Sequence, residues 1–172
     1  MTARILLISG ASGTGKSSVA AALLENTTSP WVGVEADLAA PRVSASTDVS
    51  SEPGNRRFAE TLLDSVVAWP AAGYDTIVDG ILPYPVNALH HRFLERLAGF
   101  DLRILAMSAE EAAVRHRIAQ RGRGDIAWSL RQLRDIHDGV PADFSLDTTA
   151  IAPGDVGPLR MILAWMNSPR GT

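Results

Sequence analysis

The chemistry of this chain starts in eight residues, GASGTGKS, running from Gly10 to Ser17. Their spacing is G-x-x-x-x-G-K-S, which is a cradle for phosphate oxygens. Gly10, Gly13 and Gly15 let the backbone wrap an anion, so that the N–H groups of Ser12, Gly13, Thr14, Gly15, Lys16, Ser17 and Ser18 can turn towards it. Lys16 supplies a compact ammonium between phosphates, and Ser17 a hydroxyl for a magnesium ion. Fifteen of the sixteen basic residues are arginine, and Lys16 is the only lysine. A planar guanidinium does not duplicate that point charge, so the one position that keeps lysine is the one where phosphate chemistry needs it.

Three further groups could complete a phosphoryl transfer. In WVGVEAD, Glu35 and Asp37 stand two apart, and on an extended chain both side chains point to the same side. Asp37 could take the proton of an attacking hydroxyl; the plainer reading is a cap on a helical turn starting at Leu38. Glu35 reads as either a pocket residue or a helper charge. Asp79, closing IVDG, is placed to share a magnesium ion with Ser17, although Asp-Gly also makes an ordinary turn. The segment RHRIAQRGRGD carries Arg115, Arg117, Arg121 and Arg123, with Arg117 and Arg121 on one helix face. Gly122 and Gly124 offer a hinge, so a lid over about 115–128 could lay guanidinium charge on the transferring group. The alternative is a solvated helix face. His90, His91 and His137 read as solvated or packing residues, and His116 has no evident partner. The four tryptophans read mostly as core, with Trp128 near enough to the lid to touch a substrate. No zinc spacing and no Ser–His–Asp arrangement is present.

These groups need elements to hold them. RILLIS (4–9) is an aliphatic run ended by glycine, a buried strand that leads into the loop, and GKSSVAAALLENT is the helix after it. WVGVEAD (31–37), DTIVDG (75–80), LRILAMS (102–108) and DFSLDT (143–148) read as four more strands. Helices fall at 56–69, across PVNALHHRFLERLAG, AEEAAVRHRIAQRG and IAWSLRQLRDIHDG, and at the end in GDVGPLRMILAWM. Aliphatic strands alternating with helices specify an α/β fold: one three-layer domain over 1–172, its five-stranded parallel sheet covered by helices on both faces. The long irregular stretch 38–55 follows the second strand and is the candidate acceptor-binding loop.

Composition narrows the class. The chain has 172 residues, 46% of them apolar, and a formal charge of −3, which argues against a nucleic-acid footprint. No apolar run reaches a membrane span, and without cysteine there are no disulfides or thiolate metal sites. A cytoplasmic protein is expected, with homo-oligomerisation left open. The N-K-x-D guanine reader of Ras-type GTPases cannot exist with Lys16 as the sole lysine, and L-S-G-G-Q is absent. Small kinases remain.

ISGASGTGKSS, the carboxylate after the second strand, RGRGD and above all DIHDGVPADFSLDTT resemble the chloramphenicol phosphotransferases and their relatives. The resemblance runs from the first strand to the last helix, weakly between 38 and 100. It implies the P-loop kinase fold, ATP and magnesium as cofactors, and transfer of phosphate to a hydroxyl of an antibiotic-like small molecule. Lys16 and Ser17 match the family's phosphate and metal positions, Asp37 its proposed base, and Arg121 and Arg123 its lid. Residues after Asp37 depart from the pattern. A metabolic kinase for a sugar acid, a nucleoside monophosphate kinase, and a nucleotide-binding regulator without an acceptor stay open beside it. The two kinases would want Arg42, Arg56 and Arg57 in the pocket.

Overall fold

The computed structural model describes residues 2–122, 124–151, 155 and 157–168, and of Asp37 the backbone only. Strand β1 (Arg4–Gly10) carries four consecutive aliphatics, Ile5 to Ile8, all fully buried. Alternate side chains of a strand leave opposite faces, so one strand feeds two cores. Ile5 and Leu7 pack with Leu63, Val66, Phe93 and Leu97 on one face. Leu6 and Ile8 pack with Ala20, Leu23, Ile162 and Met166 on the other. The helices behind these contacts are α3 (Glu52–Ala71) and α4 (Ala88–Leu97) on the first face, α1 (Lys16–Asn26) and α7 (Gly157–Asn167) on the second.

The other strands are β2 (Trp31–Glu35), β3 (Asp75–Asp79), β4 (Asp101–Ser108) and β5 (Phe144–Asp147). All pairings are parallel, in the order β2-β3-β1-β4-β5. This is the five-stranded, three-layer α/β fold expected. The carboxyl ends lie along one edge of the sheet: Ile8 pairs in register with Asp79, Glu35 with Asp79, and Gly10 with Met107. Gly10 is required there, because a Cβ on it would lie 2.5 Å from the Met107 carbonyl oxygen.

Several expectations need correction. Strand β2 stops at Glu35, and a short helix, α2 (Ala36–Ala39), begins at the next residue. The chain is no longer extended between Glu35 and Asp37, so the alternation that set both on one side does not apply. Helix α3 starts at Glu52, four residues earlier than expected. Ser51 caps it by accepting from Gly54 N–H at 3.2 Å and itself donates to Asp48, which narrows the irregular loop to 40–51. The tryptophans are not mostly core either: Trp69 and Trp128 are exposed, and Trp31 and Trp165 only half-buried.

The segment expected to form a lid comprises α5 (Glu111–Arg121), closed by Gly122 in the left-handed conformation, and the start of α6 (Ile126–Asp135). Asp125 caps α6 by accepting from Trp128 N–H at 3.0 Å. No helix among the described residues is long and apolar enough to cross a membrane.

Candidate functional site

The phosphate loop connects β1 to α1, and its conformation follows from its glycines. Gly13 and Gly15 take φ of 89° and 92°, values that other L residues rarely adopt. Around the position where Gly15 would carry a Cβ there is open space, as a cradle requires. Inside the turn Thr14 is fully buried, and its hydroxyl donates to the Ala11 carbonyl at 2.9 Å. Lys16 Nζ donates to the same carbonyl at 3.1 Å.

Below the loop, Ser17 Oγ donates to Asp79 Oδ2 at 2.7 Å. Asp79 is 6% exposed at the end of β3. A hydroxyl and a carboxylate in contact under a phosphate loop fit the hard oxygen donors that a magnesium ion takes, alongside water and phosphate. Ser17 and Asp79 thus stand in contact beneath the loop.

A cleft of about 290 Å³ opens from this point. One side is the loop with Lys16 and Ser17. The other holds Glu35 and Leu82, together with Trp128, Gln132 and Ile136, which are spaced by four residues and form one stripe of α6. Arg121 reaches the cleft from the end of α5 and also borders a second cavity of about 840 Å³. That cavity lies between α1, α5 and the chain after β5, lined by Ser18, Val19, His116, Arg117, Leu146 and Leu159 among others. It shares Gly15 and Arg121 with the first cleft and is bordered by both polar and apolar side chains, as small-molecule sites are.

Arg117 has a different posture from Arg121. Its Nη1 donates to Thr148 Oγ1 at 3.0 Å and to the Gly13 carbonyl at 3.4 Å, and its Nη2 donates to the Thr148 carbonyl. Thr148 Oγ1 in turn lies 2.8 Å from the Thr14 carbonyl and 3.1 Å from that of Ser108. The guanidinium is wired to the back of the loop. Arg123 lies outside the described residues, as does the side chain of Asp37, whose backbone is in α2 beside the cleft-lining Glu35.

Sequence reasoning missed three supports of the loop. Gln132 Oε1 accepts from Ser12 N–H at 2.9 Å, tying α6 to the loop. Thr148 holds it from the residue that follows β5. His137 is half-buried beside the Ser9 backbone; burial pushes its imidazole below the ordinary 6.5, the neighbouring Ser9 backbone opposes that, and the Lys16 charge adds to it. Two of the three belong to DIHDGVPADFSLDTT, whose distinctiveness was visible but not its task, which is bracing. Among the other expected residues, His90 is fully buried and its Nδ1 lies 2.8 Å from the Pro83 carbonyl, a packing role. Arg42, Arg56 and Arg57 are all exposed, and Arg56 pairs with Glu60 at 3.2 Å.

A family model described as chloramphenicol phosphotransferase-like protein matches residues 3–161. No curated protein matches the sequence. Among solved structures, the tunicamycin resistance protein of Deinococcus radiodurans is similar at 17% identity and a TM-score of 0.65, over 95% of this chain and 93% of that one. A sugar kinase from Janibacter sp. HTCC2649 matches at 18% and 0.64, over 96% and 95%. Shikimate kinase from Acinetobacter baumannii, solved with shikimate, matches at 18% and 0.63, over 98% and 97%. Such likenesses establish a shared P-loop kinase fold.

Proposed function

This chain belongs to the chloramphenicol phosphotransferase-like family, and on that footing we propose that it transfers the γ-phosphate of ATP to a hydroxyl of a small, non-anionic molecule of the antibiotic or natural-product kind. The observation that carries the reading is the cleft itself. It joins the Lys16 loop and the Ser17–Asp79 pair to a wall of Leu82, Trp128 and Ile136. Arg42, Arg56 and Arg57, the residues that a sugar-acid or nucleotide acceptor would need, do not line it.

In this reading ATP lies with its base in the larger cavity and its phosphates on residues 10–18. Ser17 and Asp79 would hold a magnesium ion, whose charge offsets that of the β- and γ-oxygens. The acceptor hydroxyl enters between α6 and the end of β2. Its oxygen forms a bond to the γ-phosphorus as the bond from that phosphorus to the β–γ bridging oxygen breaks. ADP leaves with that electron pair, and the hydroxyl proton passes to Asp37. Lys16 and Arg121 answer the charge on the transferring group, with Arg123 as a further lid cation, while Arg117 keeps the loop in shape. Positioning and charge do the work that such a transfer asks for.

The test is mass spectrometry after incubation with magnesium, ATP and a panel of hydroxylated antibiotics, gluconate, shikimate and nucleoside monophosphates. A gain of one phosphoryl group on a non-anionic compound is expected, falling about 10²–10⁴-fold in rate in Asp37→Asn. Phosphorylation confined to the anionic compounds would overturn the acceptor reading. Full activity in Asp37→Asn would overturn the base.

A further inference from the structure

The acceptor side of the cleft holds a carboxylate that no described residue answers. Glu35 lines the cleft at the end of β2, and its carboxylate takes part in no hydrogen bond or ion pair among the described residues. Its register neighbour Asp79 already accepts from Ser17. The cations of the lining, Lys16 and Arg121, are on the phosphate side, one within the loop and the other shared with the nucleoside cavity. Once a nucleotide is bound, its phosphates claim both. Among the described residues that line the cleft, no cation is then left to offset the charge of Glu35 on the acceptor side.

The rest of that side is aromatic. Trp128 is 38% exposed and lines the same cleft. Tyr84 meets it edge to face, ring centroids 4.9 Å apart at 85°, and the Arg131 guanidinium stands 5.3 Å from its centroid. The indole is therefore fixed in place, and its electron-rich ring already accommodates one cation. A carboxylate and an indole bordering one narrow cleft suit a ligand with a cationic nitrogen and an apolar body, and repel a carboxylate.

We infer that the acceptor is a hydroxylated amine, its protonated nitrogen paired with Glu35 and its apolar part against Trp128, which leaves the hydroxyl to the γ-phosphate. This deepens the phosphotransferase reading above and rests on it. A charge-assisted hydrogen bond of this kind discriminates by about tenfold to a hundredfold.

The experiment uses two probes that share a nitrophenyl ring and a diol: 2-amino-1-(4-nitrophenyl)propane-1,3-diol, which is cationic, and its neutral N-acyl derivative, chloramphenicol. With magnesium and ATP, kcat/KM for the amine should exceed that for the amide at least tenfold. Glu35→Gln should erase the difference by slowing the amine alone, with the KM for ATP unchanged. If the amide is turned over as well as the amine, or if Glu35→Gln slows both alike, the inference is overturned while the phosphotransferase reading stands. If neither probe yields product, binding is read from Trp128 fluorescence with magnesium and a non-hydrolysable ATP analogue, against Trp128→Phe as the blank. Tighter binding of the amine that Glu35→Gln abolishes upholds the pairing, and equal binding or none overturns it. Should Glu35→Gln fail to fold, the amine-to-amide ratio in the unmodified protein decides alone.

Discussion

The two sides of the cleft are built by opposite methods. On the phosphate side the loop is held from two directions, by Thr148 and Arg117 behind it and by Gln132 across the cleft, with His137 beside Ser9 at the end of β1. Its carbonyls and amides have side-chain partners supplied from residues up to 134 positions away in sequence. The acceptor side relies on a few side chains. Glu35 has no partner among the described residues, Trp128 leans on Tyr84, and the loop 40–51 is almost wholly exposed. A loop that must meet the same phosphates every time is worth bracing, because misplaced donors lose most of their value in the transition state. A wall that selects the acceptor works through the chemistry of its side chains and needs less scaffolding.

The contrast can be broken at several points. Lys16→Met should have the largest effect, a fall of about 10²–10³-fold in kcat with the fold intact, read by steady-state kinetics and circular dichroism. A fall of less than tenfold would mean that the phosphate side tolerates loss of its central charge. Thr148→Val should come next. It leaves the Thr14 carbonyl and Arg117 short of a partner in a buried place, which costs about 1–3 kcal/mol of stability and raises the KM for ATP more than that for the acceptor. Thermal melts and kinetics measure the two parts, and an equal change in both KM values would make Thr148 a general packing residue.

Acidification probes both sides at once. Burial depresses the imidazoles of His90, under the acceptor-side chain at Pro83, and of His137, at the loop. A depressed histidine is neutral in the fold and charges more readily when unfolded. Stability is therefore full above the ordinary 6.5 and declines as pH falls through and below it, towards the folded-state values. Denaturant titrations from pH 8 to 5 should show that decline, and His90→Gln should reduce it only in part, since His137 carries the rest. The smallest effect belongs to the exposed arginines. Arg42→Ala, Arg56→Ala and Arg57→Ala should each alter kcat/KM by less than about twofold and stability by no more than about 0.5 kcal/mol. A large rise in acceptor KM from any of them would return the anionic acceptors to consideration.

The same contrast explains how far the sequence could be read. The phosphate loop was legible because glycine, lysine and serine at fixed spacing have few other uses. The parallel sheet was legible because strands buried on both faces are unbroken aliphatics, as Ile5 to Ile8 are. Asp79 could be found because it ends the strand beside β1. The path of the chain after Glu35 was legible only in part: a helical turn was one of two readings but was set at Leu38, whereas it runs from Ala36 to Ala39, because the alternation rule reaches only as far as the strand does. The early start of α3 was written in S-E-P, a serine cap with proline in the first turn, and the serine-rich composition around it masked the signal. Thr148, Gln132 and His137 come to the loop from distant segments. Nothing in their local sequence says which backbone groups they will meet.

The solitary lysine has a practical consequence. Lys16 is the one side-chain amine in the chain, and it lies inside the phosphate cradle. An acylating reagent that adds to side-chain amines has one address on this molecule, and a bound triphosphate covers it. The extent of lysine modification is thus a direct count of empty nucleotide sites, without an engineered tag or a coupled assay. An amine-reactive fluorophore would meet one side chain on this protein besides an α-amino group, so any dye carried by a lysine would report from the phosphate loop.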